Sequence, residues 1–169
     1  VRRYVKAQTG DMRGQGVQGE PTPMVVYKSG EGHSCIDKAV ELLGIGNRHL
    51  RSIPADSDFR MDVNRLQEQI TDDRQSGLHP VCVVASAGTV NTGAIDPLDS
   101  IADLCEEEAL WFHIDGAFGG LGILAEQAQH LFTGIERADS LGIDPHKWMY
   151  LPVECGCAIV RDKEAMRNT

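Results

Sequence analysis

The feature that most constrains this chain is the alternation of short apolar, β-branched runs with stretches whose apolar residues recur every three or four positions. Residues 24–27 (Met-Val-Val-Tyr) follow Pro23 and precede a polar Ser29-Gly30-Glu31-Gly32 turn, which predicts a strand and a loop. Ser34 offers a helix cap ahead of Ile36, Ala39, Val40 and Leu43 at helical spacing, and Gly44 and Gly46 end that helix. Further strands are predicted over 50–53, 81–85, 110–114, 140–143 and 157–160. Helices are predicted over 62–75, closed by Gly77, from Pro97 through Ile101, Leu104 and Cys105, and over 123–132. Strands alternating with helices imply one α/β domain with a mostly parallel sheet and helices on both faces.

Composition narrows the partners. With 169 residues and a hydrophobic share of 41%, the chain can bury a core of one domain. A formal charge of -9 without a basic stripe would repel a phosphate backbone, so nucleic acid is a poor partner and a small charged metabolite suits the chain better. No apolar run approaches the roughly 20 residues of a membrane span, and residues 1–8 are too polar for a signal peptide, so a cytoplasmic setting is expected. Cys35, Cys82, Cys105, Cys155 and Cys157 form an odd set without framework spacing and read as reduced thiols. Cys155-Gly-Cys157 has no second pair to complete a zinc site, so no metal is expected. Val1 is not an initiator methionine, and residues 162–169 read as the start of a helix, which together suggest a piece of a longer protein.

In parallel sheets, ligands sit beyond the carboxyl ends of the strands, which draws attention to the polar residues after each apolar run. Asp115 follows the apolar run from Leu110 to Ile114, and a carboxylate there needs a donor or cation to face it. It could cap a neighbouring helix or pair with an arginine; alternatively it could hold a pyridine nitrogen protonated. Lys147 could be a solvated surface charge. Its neighbours Pro145, His146 and the apolar Trp148, Met149, Tyr150 and Leu151 instead suggest a desolvated, nucleophilic amine. His33 is either a loop or capping histidine or a flat ring laid on a planar cofactor. Gly116, Ala117, Gly119 and Gly120 would let such a group approach the backbone, or simply make a turn.

Taken together, His33-Ser34, Gly88-Thr89, His113-Ile114-Asp115-Gly116-Ala117 and Asp144-Pro145-His146-Lys147-Trp148 resemble the group II pyridoxal-phosphate (PLP) amino-acid decarboxylases. That family acts on aromatic amino acids, glutamate, histidine and diaminobutyrate, and Asn91-Thr92-Gly93-Ala94-Ile95-Asp96-Pro97 also looks like family sequence. The resemblance implies the large domain of the fold type I PLP enzymes. It further implies that Lys147 carries PLP as an internal aldimine, that Asp115 pairs with the pyridinium nitrogen, and that His33 and Ala117 pack on opposite ring faces. Thr89 would lie near the ring substituents and the substrate carboxylate, and His146 near the phosphate or substrate. Ser140 and Asp144 are further candidates near the phosphate, Asp144 standing where many members carry Asn. The implied reaction is decarboxylation of an L-amino acid, with electrons taken up in a quinonoid intermediate.

The same resemblance implies a homodimer in the full-length protein, a phosphate-binding segment upstream of residue 1, and a mobile loop and small domain downstream of residue 169. The segment alone is expected to bind PLP weakly and turn over little. Other fold type I activities, namely lyases, aminotransferases and cysteine desulfurases, use the same lysine, and a truncated inactive product is the non-enzymatic alternative. Lys147-Trp148 inclines the substrate toward an aromatic amino acid.

Overall fold

The computed structural model describes residues 12–164, and among them six strands form one sheet. These are β1 (Met24–Ser29), β2 (Leu50–Ile53), β3 (His79–Ser86), β4 (Trp111–Asp115), β5 (Ser140–Ile143) and β6 (Cys157–Val160), in the order β2-β1-β3-β4-β5-β6. The first five run parallel and β6 returns antiparallel beside β5. Between them stand α1 (Cys35–Leu42), α2 (Val63–Gln75), α3 (Leu98–Glu107) and a four-residue turn, α4 (Pro145–Trp148).

Side chains alternate across the strands and so build two cores. Val25, Tyr27, Val83, Ala85, Phe112 and Ile114 leave one face and pack with Leu66 and Ile70 of α2 and Leu98 and Ile101 of α3. Met24, Val26, Cys82, Val84 and Trp111 leave the other and pack with Ile36 and Val40 of α1. Helices therefore cover both faces, as the strand–helix alternation predicted. β3 is buried at every position after His79, which explains why its sequence is a nearly unbroken apolar run rather than an alternating one. Each large aliphatic side chain so buried contributes about 1.5–3 kcal/mol.

Helix ends follow local chemistry. The Asp62 carboxylate accepts from the N–H groups of Asn64 and Arg65 and caps α2. Gly44 and Gly77, at φ +75° and +74°, end α1 and α2: the N–H of Gly77 donates to Arg74 and that of Leu78 to Asp73. α3 stops in the same way with Ala109 at φ 53°, its N–H donating to Glu106 and that of Leu110 to Cys105. Leu110 is thereby consumed by the helix stop, and β4 starts at Trp111, one residue later than predicted.

Two expectations are corrected. Ser34 occupies the cap position of α1, but its hydroxyl makes no capping bond; the Cys35 N–H instead donates to His33 Nδ1 at 3.2 Å. Residues 123–132 are not one helix but two 3₁₀ turns, Gly120–Leu124 and Gln129–Phe132, separated by an extended Ala125. The break falls at Ala125, and Phe132 beyond it reaches the core, where it is 3% exposed. The helix start read at 162–169 lies largely outside the described residues.

A buried polar cluster ties β1, β2 and α2 together. Tyr27 donates its hydroxyl to Asp73 Oδ2 at 3.0 Å, and Arg51 donates Nε and Nη2 to the same carboxylate at 2.7–3.1 Å. Asp73 is buried, so its charge depends on these donors. Replacing Tyr27 by Phe should lower unfolding free energy by about 1–3 kcal/mol, and Asp73→Ala should cost more because Arg51 loses its counter-ion. Urea unfolding with an unchanged m-value checks this; a Tyr27→Phe cost near zero would show the cluster to be passive.

Candidate active site

The strand order reverses between β1 and β3, since β1 is followed by β2 on one side and β3 on the other. At such a switch the loops after neighbouring strands diverge and leave a crevice at the carboxyl ends. There the segments after β1, β3, β4 and β5 enclose a cavity of about 310 Å³, walled by His33 and Cys35, by Ser86, Gly88, Thr89 and Val90, and by Asp115, Ala117, Phe118, Asp144 and Lys147. Larger hollows of about 470 and 480 Å³ lie elsewhere and lack a lysine.

Asp115 is the last residue of β4 and is held at three points. It pairs in register with Ser86, its carbonyl accepts from Ala87 N–H at 2.8 Å, and its Oδ1 accepts from Ala117 N–H at 3.1 Å. The backbone N–H pins one carboxylate oxygen and leaves Oδ2 for the cavity. The flanking loops touch backbone to backbone: a Cβ on Gly119 would meet the Ala87 carbonyl oxygen at 2.6 Å and Gly88 Cα at 2.7 Å. Only glycine allows this approach, and Gly88 also sits at φ +92°.

Lys147 rides on α4, which starts with Pro145 directly after β5 and Asp144. Its Nζ pairs with Asp144 Oδ2 at 2.9 Å, the two side chains being 35% and 27% exposed. The apolar run after it does not enclose the amine, because Trp148, Met149, Tyr150 and Leu151 all point to solvent. The expected desolvation of Lys147 by that run is therefore corrected; a carboxylate partner takes its place. Trp148 instead meets Phe118 edge-to-face, with ring centroids 5.9 Å apart, which links the Lys147 turn to the Asp115 loop.

His33 takes the local capping contact considered for it and also lines the cavity. Its Nδ1 accepts from Cys35 N–H at 3.2 Å, and the residue stands at the cavity wall. Thr89 is buried at 3% exposure, its hydroxyl 2.7 Å from that of Thr92.

Two candidates do not line the cavity. The Ser140 hydroxyl accepts from Trp111 Nε1 at 2.9 Å and lies 2.8 Å from His113 Nδ1, inside a neighbouring groove under the sheet. Burial pushes the His113 imidazole pKa down, opposed by the nearby Asp115 charge, so Ser140 faces a neutral ring. His146 Nδ1 is engaged with the backbone of Cys155, 2.8 Å from its oxygen and 3.0 Å from its nitrogen. Cys35, Val90 and Phe118 are wall residues not singled out from sequence. Burial, then the Asp115 charge, pushes the Cys35 thiol pKa up. Cys35 and Phe118 each adjoin a wall segment already flagged, and that adjacency was the available signal.

A family model for the pyridoxal-dependent decarboxylase conserved domain matches residues 1–169. The aromatic-L-amino-acid decarboxylase of Bacillus atrophaeus is 42% identical over 145 residues, covering 86% of this chain and 30% of that protein. The glutamate decarboxylase domain of diaminobutyrate-pyruvate transaminase and L-2,4-diaminobutyrate decarboxylase from Vibrio parahaemolyticus superposes with a TM-score of 0.90 at 32% identity, over 98% of this chain and 36% of that one. The Oryza sativa TDC structure with PLP gives a TM-score of 0.87 at 32% identity, over 99% and 34%. The chain thus spans about a third of the length of these relatives, and its fold is that of fold type I decarboxylases. On its whole length, then, this chain belongs to the pyridoxal-dependent decarboxylase family.

Proposed function

We propose that this chain forms the cofactor-holding part of the large domain of a PLP-dependent amino-acid decarboxylase. The observation that carries the reading is that Asp115 at the end of β4 and Lys147 on the turn after β5 wall one cavity of about 310 Å³ together with His33 and Ala117. That volume suits one substituted pyridine ring and falls at the small end of cofactor pockets. The donor set suits it too: a primary amine on one side, a carboxylate with a free oxygen on another, a flat imidazole and a methyl-sized residue on the walls. When bound, PLP supplies an electron sink for the charge left behind as a carboxylate departs as carbon dioxide.

Each residue has a definable task. Lys147 would hold the cofactor through Nζ, and Asp144, 2.9 Å from that nitrogen, would direct it. Asp115 would hold a proton on the ring nitrogen, its carboxylate fixed in advance by the Ala117 N–H so that it need not reorient. His33 offers its ring face, locked through Cys35. Thr89 and Ser86 close the wall beneath β3. His146 supports the Lys147 turn through Cys155, and Ser140 hydrogen-bonds His113.

The substrate is proposed to be an aromatic L-amino acid, which the 42% identity to the Bacillus atrophaeus relative supports. A homodimer would cover the exposed apolar Trp148, Met149, Tyr150 and Leu151. A cytoplasmic setting agrees with five unpaired thiols. Among the described residues no helix is long and apolar enough to cross a membrane, and no cluster of metal-ligating side chains comes together.

Incubating the complete protein with PLP and aromatic L-amino acids should release carbon dioxide and the matching amine in equal amounts. Keto-acid release without carbon dioxide would point to transamination and overturn the reading. Lys147→Ala should lower turnover at least about a thousandfold and abolish borohydride fixation of PLP to the chain, and Asp115→Asn should lower turnover about a hundredfold with PLP still fixed at Lys147. Full borohydride fixation in Lys147→Ala would move the attachment site elsewhere.

A further inference from the structure

Asp96 lies outside the cavity yet is the most costly buried acid near it. It is 2% exposed, and among the described residues no cation pairs with it. Its two oxygens each accept one backbone hydrogen bond at 2.7 Å, Oδ1 from Met61 N–H and Oδ2 from Ser86 N–H. Burial pushes its pKa up, while the two N–H groups pull the other way. A buried charge without a counter-ion is expensive, so its retention calls for something a neutral residue could not do. Asparagine has one acceptor oxygen; only a carboxylate can satisfy both N–H groups at once.

What those two bonds fix is the segment that walls the cavity. The last rung between β1 and β3 is Lys28 with Val84, so Ser86 N–H lies beyond the ladder on that side, and Asp96 supplies its acceptor. Ser86 returns the contact through its carbonyl, which accepts from Asp96 N–H at 3.0 Å. Between them, residues 87–95 fold back on themselves: Gly88 and Thr89 N–H both donate to the Ala94 carbonyl, and Gly93 N–H donates to Thr89. Ala87 N–H then donates to Asp115, and Gly88 touches Gly119. A shift at Ser86 is thus passed through rigid backbone contacts to both Thr89 and Asp115.

We infer that Asp96 is a positioning residue whose two-armed carboxylate sets the height of the Thr89 turn, and with it the width of the cavity between that turn and Asp115. The inference rests on the cavity being the PLP site. Asp96 touches neither cofactor nor substrate; it acts through Ser86.

The test uses the complete protein and three readouts: PLP affinity, the visible circular dichroism of the bound cofactor, and far-ultraviolet circular dichroism. Asp96→Asn should weaken PLP binding about tenfold or more and change the visible dichroism, while the far-ultraviolet signal stays native. In a Thr89→Ala background the same substitution should have a much smaller effect, because both act on one turn. Asp96→Asn with wild-type affinity and dichroism, or effects that multiply independently of Thr89→Ala, would overturn the inference. Should Asp96→Asn fail to fold, amide exchange in the wild-type protein decides: Ser86 and Met61 N–H must be strongly protected, and rapid exchange at either refutes the bridge. Failure of wild-type protein to bind PLP at Lys147 would instead strike the underlying reading, so the two failures are distinguishable.

Discussion

Everything at the site depends on the parallel pairing of β1, β3, β4 and β5. Parallel strands bring every carboxyl end to one edge of the sheet, so residues far apart in sequence arrive side by side without long loops. His33, Thr89, Asp115 and Lys147 span more than a hundred positions, yet each lies within a few residues of a strand end. The reversal of order between β1 and β3 then opens the space they share. An antiparallel sheet of the same strands would split this set between two edges.

Rigidity comes from backbone contacts rather than from side-chain packing. Ala87 N–H on the Asp115 carbonyl, Ala117 N–H on its carboxylate and the Gly88–Gly119 contact hold the acid in place before any ligand arrives. The lysine side is built differently: a short turn starting at Pro145, an ion pair with Asp144 and an aromatic edge contact between Trp148 and Phe118. One wall is therefore fixed by the sheet, and the other is a more exposed turn carrying the nucleophile. Such a division suits an amine that must attach and release while the opposing carboxylate keeps its direction.

Much of this was legible in the sequence because it is written in local patterns. The β-branched run at β3, the helical spacing around Ile36 and Val40, and the stops at Gly44 and Gly77 each follow from backbone preference, and the structure has them at those places. The positions of Asp115 and Lys147 after strands could be read likewise. What could not be read was set by distant partners. Asp73 carries no local mark of the buried cluster that Tyr27 and Arg51 form with it. Ala109 gave no sign of its left-handed turn, since alanine is not a stop signal. The apolar run after Lys147 promised burial, but exposure is decided by what packs against it, and within residues 12–164 nothing covers Tyr150. Ser140 was a candidate through the family resemblance alone, and no local pattern announced its hydrogen bond to His113.

The central claim is that Asp115 and Lys147 grip one pyridine ring from two sides. A crystal structure of the complete protein with PLP tests it most directly. The account predicts continuous density from Lys147 Nζ to the cofactor, and the ring nitrogen within about 3 Å of the free Asp115 oxygen. Density joined to another lysine, or a ring whose nitrogen faces away from Asp115, would contradict it.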